Sequence, residues 1–322
     1  MSNAQATSMN PLQRAWSWLP TSVDYRVRVA AWASLVCQIV LVGTGGLVRL
    51  TSSGLGCPTW PQCGDGSIVT TPALGYHGVI EFGNRLLTFV LVIIVIAAFL
   101  SILRIRRVRR DLFWLTFIQG MSIPFQAVLG GISVLAKLNP YVVGSHFIVS
   151  MILVRIATTL VYRVTRGPRS DTAATPPWFA VVTRITAVFV AITVVLGILT
   201  TGAGPHAGDA HTHRNGLDPK VIEVFHAIPA FAVFGLTIVL MIAVVRLGLP
   251  RRFVTMLLCV EIAQIAVGLT QANTGLPALL VGAHLVLAAL LVSAMTAVTH
   301  TLQSDADLTE PVDEAAVAAA TS

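Results

Sequence analysis

Charge is the scarcest property of this 322-residue chain, since Asp, Glu, Lys and Arg make up 11% of it. Soluble domains carry about 25% charged residues, so a water-bathed globular surface is excluded. The first 25 residues lack an apolar core ahead of a small-residue cleavage site, so they are expected to be a cytoplasmic tail and not a secretory signal peptide. Cysteine is sparse as well, with four residues. Cys37 and Cys259 fall inside apolar runs as inert core residues, which leaves one pair, Cys57 and Cys63. Two thiols alone make a poor zinc site.

What the chain has in abundance is hydrophobic residues, at 55%, with a mean hydropathy of +0.80. Runs long enough to cross a bilayer, about 20 residues each, lie at 27–49, 79–103, 112–135, 141–162, 178–201, 220–245, 252–271 and 277–300. The net charge of +7 is carried by alternate loops. Arg14, Arg26 and Arg28 precede the first span; Arg104, Arg106, Arg107, Arg109 and Arg110 follow the second. Arg163, Arg166 and Arg169 follow the fourth, and Arg246, Arg251 and Arg252 the sixth. That is the positive-inside pattern, not a stripe for nucleic acid, and it places both termini in the cytoplasm. The acidic, Ala-rich end is expected to be a disordered tail.

The opposite loops, Leu50–Tyr76, Ala136–Pro140, Gly202–Asp218 and Ala272–Leu276, are poor in basic charge and face an oxidising compartment. In "GLGCPTWPQCGDG" the closeness of Cys57 and Cys63, with that compartment, favours a disulfide over a metal pair; free thiols and a redox-active bond are the alternatives.

Two stretches repeat without a gap: "QAVLGGISVLAKLNPYVVGSHF" (Gln126–Phe147) and "QIAVGLTQANTGLPALLVGAHL" (Gln264–Leu285). The alignment pairs Gln126 with Gln264, Gly130 with Gly268, and His146 with His284. "VIEFGNR" from Val79 lies beside "VIEVFHA" from Val221, which matches Glu81 to Glu223 and Asn84 to His226. The expected architecture is therefore an all-α integral membrane protein of eight transmembrane helices in two pseudo-symmetric four-helix bundles, related about the membrane normal. Its divisions are a tail at 1–25, a first half at 26–165, a linker at 166–177, a second half at 178–302 and a tail at 303–322.

The even-numbered spans enter from the outer side and carry His77, Glu81 and Asn84; His146; Glu223 and His226; and His284. An ionisable residue inside a span is costly unless paired or ligated. Imidazoles on neighbouring helices at matching depth suit axial ligation of haem iron, with the helices as apolar walls. His226 and His284 form such a pair. Zinc would call for four ligands, and copper is an alternative for two His.

The region from Arg26 to His300 thus resembles the haem A synthase family: eight spans in two halves, "GGLVRLTSSGLGCPTWPQC", a Glu motif opening span two, and His on the even spans. "TGAGPHAGD" (Thr201–Asp209) is similar to the actinobacterial members. The resemblance implies an oxidoreductase that converts the C8 methyl of haem O to a formyl group, by successive hydroxylations and loss of water, supplying haem A to cytochrome oxidase. It implies a resident haem b on His226 and His284, with haem O near His146 and Glu81. Implied partners are membrane lipid, a haem O synthase, cytochrome oxidase assembly proteins, and a quinol or ferredoxin-like electron donor. The family motif reads Glu, two residues, His, Arg; here Asn84 stands in place of the histidine.

That departure leaves two readings of the first half. His77 supplies a ligand from about 10.5 Å further along the helix, or His146 alone holds the iron with the other face open. His77 has a third role open to it, as a propionate or proton partner. Glu81 lies one turn from both His77 and Arg85, so it is either a proton-relaying catalytic group or a structural partner of Arg85. Arg49 and Arg85 are expected to grip haem propionates. Arg155, deep in span four, pairs with a polar group or snorkels. The loop with His206, Asp209, His211 and His213 is either solvated or a surface metal site. The rival of another class is a non-catalytic bis-His cytochrome b in quinol or electron transfer.

Overall fold

The computed structural model describes residues 10–64, 66–206, 208–209 and 212–305. Its elements in chain order are α1 (Pro11–Trp18), α2 (Tyr25–Leu50), α3 (Gly75–Leu103), α4 (Arg110–Leu135), α5 (Pro140–Arg166), β1 (Arg169–Ala173), α6 (Pro177–Ala203), α7 (Pro219–Arg246), α8 (Arg252–Asn273), α9 (Ala278–His300) and β2 (Gln303–Asp305). The eight helices α2–α9 are long and apolar enough to cross a membrane, and each expected span lies within one of them or overruns it by a residue. Even the shortest, α8 at 22 residues, rises about 33 Å against a hydrocarbon thickness of about 30 Å.

The sequence sets where these helices begin. Proline occupies the first turn of α5, α6 and α7, where its missing N–H leaves no bond unmade. Asn139 accepts from the Tyr141 amide, and Asp218 accepts from those of Lys220 and Val221, which satisfies donors that a helix start leaves free.

Each half closes as a ring. In the first, α2 packs on α3 and α5, and α4 packs on the same two; in the second, α6 packs on α7 and α9, and α8 packs on those two. The rings meet where α2 and α5 touch α9, and α5 touches α6. Lipid is as apolar as the side chains, so close approach and interhelical hydrogen bonds hold such helices together, not expulsion from water. Ala31, Ala157 and Ala289, at 1% exposure or less, let α2, α5 and α9 approach closely. Thr158 Oγ1 bonds Ser293 Oγ at 2.9 Å across α5 and α9; Ser34 Oγ donates to Gln119 Oε1 at 2.6 Å across α2 and α4. Thr237 Oγ1 donates to Glu261 Oε1 at 2.7 Å across α7 and α8.

Packing is uneven along the bundle axis. Both hydrophobic cores, one built on Val27, Leu112, Val154 and Leu160 and the other on Phe179, Leu240, Leu257 and Val298, lie toward the arginine-rich end. In α9 no residue from Ala278 to Ala288 is fully buried, whereas Ala289, Leu291 and Ala294–Val298 are. The histidine-bearing end is correspondingly loosely filled by side chains.

The N-terminal segment carries a helix, and one expectation, the disorder of the C-terminal tail from its start, needs correction. Residues 11–18 of the expected tail are helical, because Asn10 and Gln13 cap α1 reciprocally, a device that holds a short helix start. Arg106 and Arg26 lie over Trp16 and Trp18, anchoring α1 at the arginine-rich end. The expected linker and the start of the expected disordered tail pair instead as an antiparallel ribbon, β1 with β2, extended by the Ala174 N–H donating to Leu302 O. Residues 306–322 lie outside the described residues.

Thr237→Val should lower stability by about 1 kcal/mol, since it strips a buried carboxyl of its donor. Thermal unfolding in detergent checks this, and Thr237→Ser should recover most of the loss.

Candidate functional site

At the end opposite the arginines, His226 of α7 and His284 of α9 face each other. Their ring centroids are 6.3 Å apart and their planes are inclined by 71°. His226 Nδ1 lies 2.9 Å from Thr193 O. A carbonyl partner requires Nδ1 to carry the proton, which leaves Nε2 with the lone pair that a metal needs. Glycine makes room beside both rings: a Cβ on Gly197 would lie 3.0 Å from His226 Cε1, and one on Gly268 3.1 Å from His284 Cε1. His284 Nδ1 and Gln264 Oε1 are buried without hydrogen-bond partners.

This donor set fits a haem iron. Two imidazole nitrogens at roughly 2.0 Å from one metal put the ring centres roughly 6 Å apart, close to the spacing found. Among the described residues no three His, Cys, Asp or Glu side chains converge, so the site lacks what zinc needs. The loosely filled end of the second ring also suits a broad apolar macrocycle.

The first half repeats part of this arrangement. Gln126 Nε2 donates to His146 O at 3.3 Å, just as Gln264 Nε2 donates to His284 O at 3.2 Å. Gly130 lies against the His146 ring as Gly268 lies against His284, and His146 Nδ1 and Gln126 Oε1 are likewise buried and unpartnered. The opposing imidazole is missing. Asn84 accepts the Thr44 hydroxyl at 2.7 Å, tying α3 to α2. His77 is engaged with the loop, its Nδ1 2.9 Å from Ser53 Oγ and its ring beside Tyr76.

Over this end of α3 folds the cysteine loop. Cys57 and Cys63 form a disulfide with a Cα separation of 4.2 Å, and both are fully buried. Gly56 rests on the His77 carbonyl so closely that any Cβ there would collide, and Trp60 covers Gly131 of α4. Glu81 anchors the loop: its Oε2 accepts the Cys57 amide at 2.8 Å and its Oε1 accepts Arg85 Nη2 at 2.6 Å. Arg85 then donates to the carbonyls of Gln62, Cys57 and Thr59. The helical neighbour that pairs with Glu81 is thus Arg85, four residues on, and not His77.

Arg49 reaches across the halves, donating to His206 O at 2.6 Å and Thr201 O at 3.3 Å, and His206 Nε2 lies 2.8 Å from Leu276 O. Gly54 N–H donates to Gly208 O. The loop with His206, Asp209 and His213 therefore ties the bundle ends together; His211 lies outside the described residues. Glu223 is exposed. Sequence reasoning missed Glu261, 3% exposed with Oε2 unpartnered, although an acid inside "LLCVEIAQ" was a visible signal.

Eight apolar helices in two rings, with His146, His226 and His284 at one end, define a multi-pass membrane protein of the helical-bundle class. The chain belongs to the cytochrome oxidase assembly protein family (COX15-CtaA), whose model matches residues 28–296. It is similar to a haem A synthase of Geobacillus thermodenitrificans, with 27% identity over 158 residues, 48% of this chain and 49% of that protein. It is also similar to one of Bacillus pumilus, with 34% identity over 146 residues, 45% and 46% of the two chains. The chain spans about half the length of the relatives it matches.

Glu81→Leu should free the loop from α3 and expose the buried Cys57–Cys63 bond to reductant. Thiol alkylation followed by mass spectrometry should then find it reduced faster than in the unaltered protein, with Arg85→Leu acting in the same direction.

Proposed function

We propose that this chain is a haem A synthase, oxidising the C8 methyl of haem O through two hydroxylations to a geminal diol that loses water to the formyl group. The product, haem A, would go to cytochrome oxidase. Family membership and the named relatives support this reading. The observation that carries it is the 6.3 Å facing of His226 and His284, with His226 fixed by Thr193.

In this reading His226 and His284 hold a resident haem b by Nε2. When bound, haem b would supply a one-electron redox centre between these two histidines. Thr193 keeps the His226 ring in the tautomer and orientation that ligation requires, as partners behind metal-bound histidines generally do. In the first half His146 holds the substrate haem O, and Asn84, turned to Thr44, leaves the opposite face free. Glu81, kept in place by Arg85 and the Cys57 amide, accepts or relays protons in the methyl oxidation. Arg49, with guanidinium donors beyond those given to His206 and Thr201, is the propionate partner. Arg85 is mainly the cation that fixes Glu81, and His77 with Ser53 forms a proton or propionate contact at the mouth. Each hydroxylation takes one atom of dioxygen, and two electrons from a quinol or a ferredoxin-like donor, with two protons, carry the other atom to water. The histidine-bearing end faces outward and both termini face the cytoplasm, in keeping with the arginine loops.

Coexpression with a haem O synthase, followed by mass spectrometry of extracted haems, tests the reading. Hydroxymethyl and formyl products are expected; haem O recovered unchanged would leave a bis-His cytochrome b instead. Glu81→Gln should lower product formation by about 10²–10⁴-fold. In visible spectra His226→Ala should lose the resident haem b while His77→Ala retains it, and the reverse would overturn this division of roles.

A further inference from the structure

Where the two rings meet, α5, α6 and α9 enclose an open groove of about 190 Å³. Its walls are apolar, with Ile148 and Ile152 from α5, Val190 and Val194 from α6, and Val292 from α9. One charged side chain lines it, Arg155. A second arginine, Arg184, lies on α6 three residues before Ala187 and seven before Ala191, both of which line the groove. Residues three and seven apart share a helix face, so Arg184 stands at the same groove, toward the arginine-rich end. Both arginines are exposed, and neither guanidinium has a hydrogen bond or ion pair among the described residues.

Their depth makes this unusual. Arg155 lies about 16 Å along α5 from its end at Arg166, and Arg184 about 10 Å along α6 from its start at Pro177. A cation at such depth needs a counter-charge, and the walls supply none, since α5, α6 and α9 contain no Asp or Glu. Arg163 and Arg166 at the end of α5 add only more positive charge. The missing anion must therefore come from outside the bundle, and the greasy groove beside it calls for a ligand that also has a hydrocarbon part. A neutral quinol would leave the two charges uncompensated.

We propose that this seam is a binding site for an anionic phospholipid. Arg155 and Arg184 hold the phosphate by charge-assisted hydrogen bonds, and an acyl chain lies along Ile152, Val190 and Val194. Basic pockets between transmembrane helices recognise anionic headgroups in this way. Arg155 lies about 13 Å along α5 from His146, toward the arginine-rich end, and the site does not depend on the proposed reaction.

Native mass spectrometry of the full chain, delipidated in mild detergent and then mixed with phosphatidylglycerol or phosphatidylcholine, tests this. Selective retention of phosphatidylglycerol is expected. Arg155→Gln with Arg184→Gln should weaken it about tenfold, whereas Arg155→Lys with Arg184→Lys should keep most of it. Val190→Trp, which fills the groove and leaves both charges, should also reduce retention. Circular dichroism verifies that each variant is helical, and if the glutamine pair does not fold, Val190→Trp and the comparison of the two lipids decide. Equal retention of both lipids, unchanged retention in the folded glutamine or tryptophan variants, or displacement of the lipid by inorganic phosphate would overturn the proposal.

Discussion

Hydrocarbon offers no hydrogen bonds, and a polar group carried into it must find a partner there. That constraint accounts for most of the side-chain placement in this bundle. Threonine hydroxyls on the spans fold back on carbonyls four residues earlier, as Thr116, Thr186, Thr193 and Thr296 do. Larger polar groups are shared between helices, as with Ser34 and Gln119. Against that background the few buried atoms without partners stand out, and four of them form two repeat-related sets: His146 Nδ1 with Gln126 Oε1, and His284 Nδ1 with Gln264 Oε1. Each set borders the histidine on which the proposed porphyrin sites depend.

The two ends of the bundle divide the labour of folding and function. Tight packing is concentrated toward the arginine-rich end, where alanines let helices meet. Toward the other end, glycines lie against imidazole rings and the connecting loops cross-link through Arg49, His206 and Gly54. One difference between the halves falls at the proposed porphyrin sites. His226 faces His284, while Asn84, in the matching place, is bonded to Thr44. In the proposed reading this difference separates the porphyrin that is kept, which His226 and His284 would hold between them, from the one that is transformed, which His146 alone would hold.

Much of this was legible in the sequence because membrane helices are written in long apolar runs, punctuated by proline at their starts. The gapless repeat around Gln126 and Gln264 made the shared contacts of His146 and His284 foreseeable. Contacts made by the loops were harder to foresee. Helical spacing offers Glu81 two neighbours, His77 and Arg85, and only the folded loop decides between them by bringing Ser53 to His77 and the Cys57 amide to Glu81. Glu261 was overlooked as one acid in an oily run, and its partner Thr237 lies on another helix. The β1–β2 ribbon has no signal of its own, since each strand is too short and polar to announce a pairing with a distant segment.

That ribbon also imposes an order of events. β1 leaves α5 in the middle of the chain, but its partner β2 follows the last helix. A growing chain exposes β1 while the whole second ring is still to be made, and the strand can be satisfied only after α9 has been inserted. The pairing is therefore a latch that closes last, holding the connection between the halves only in a molecule whose second half is complete.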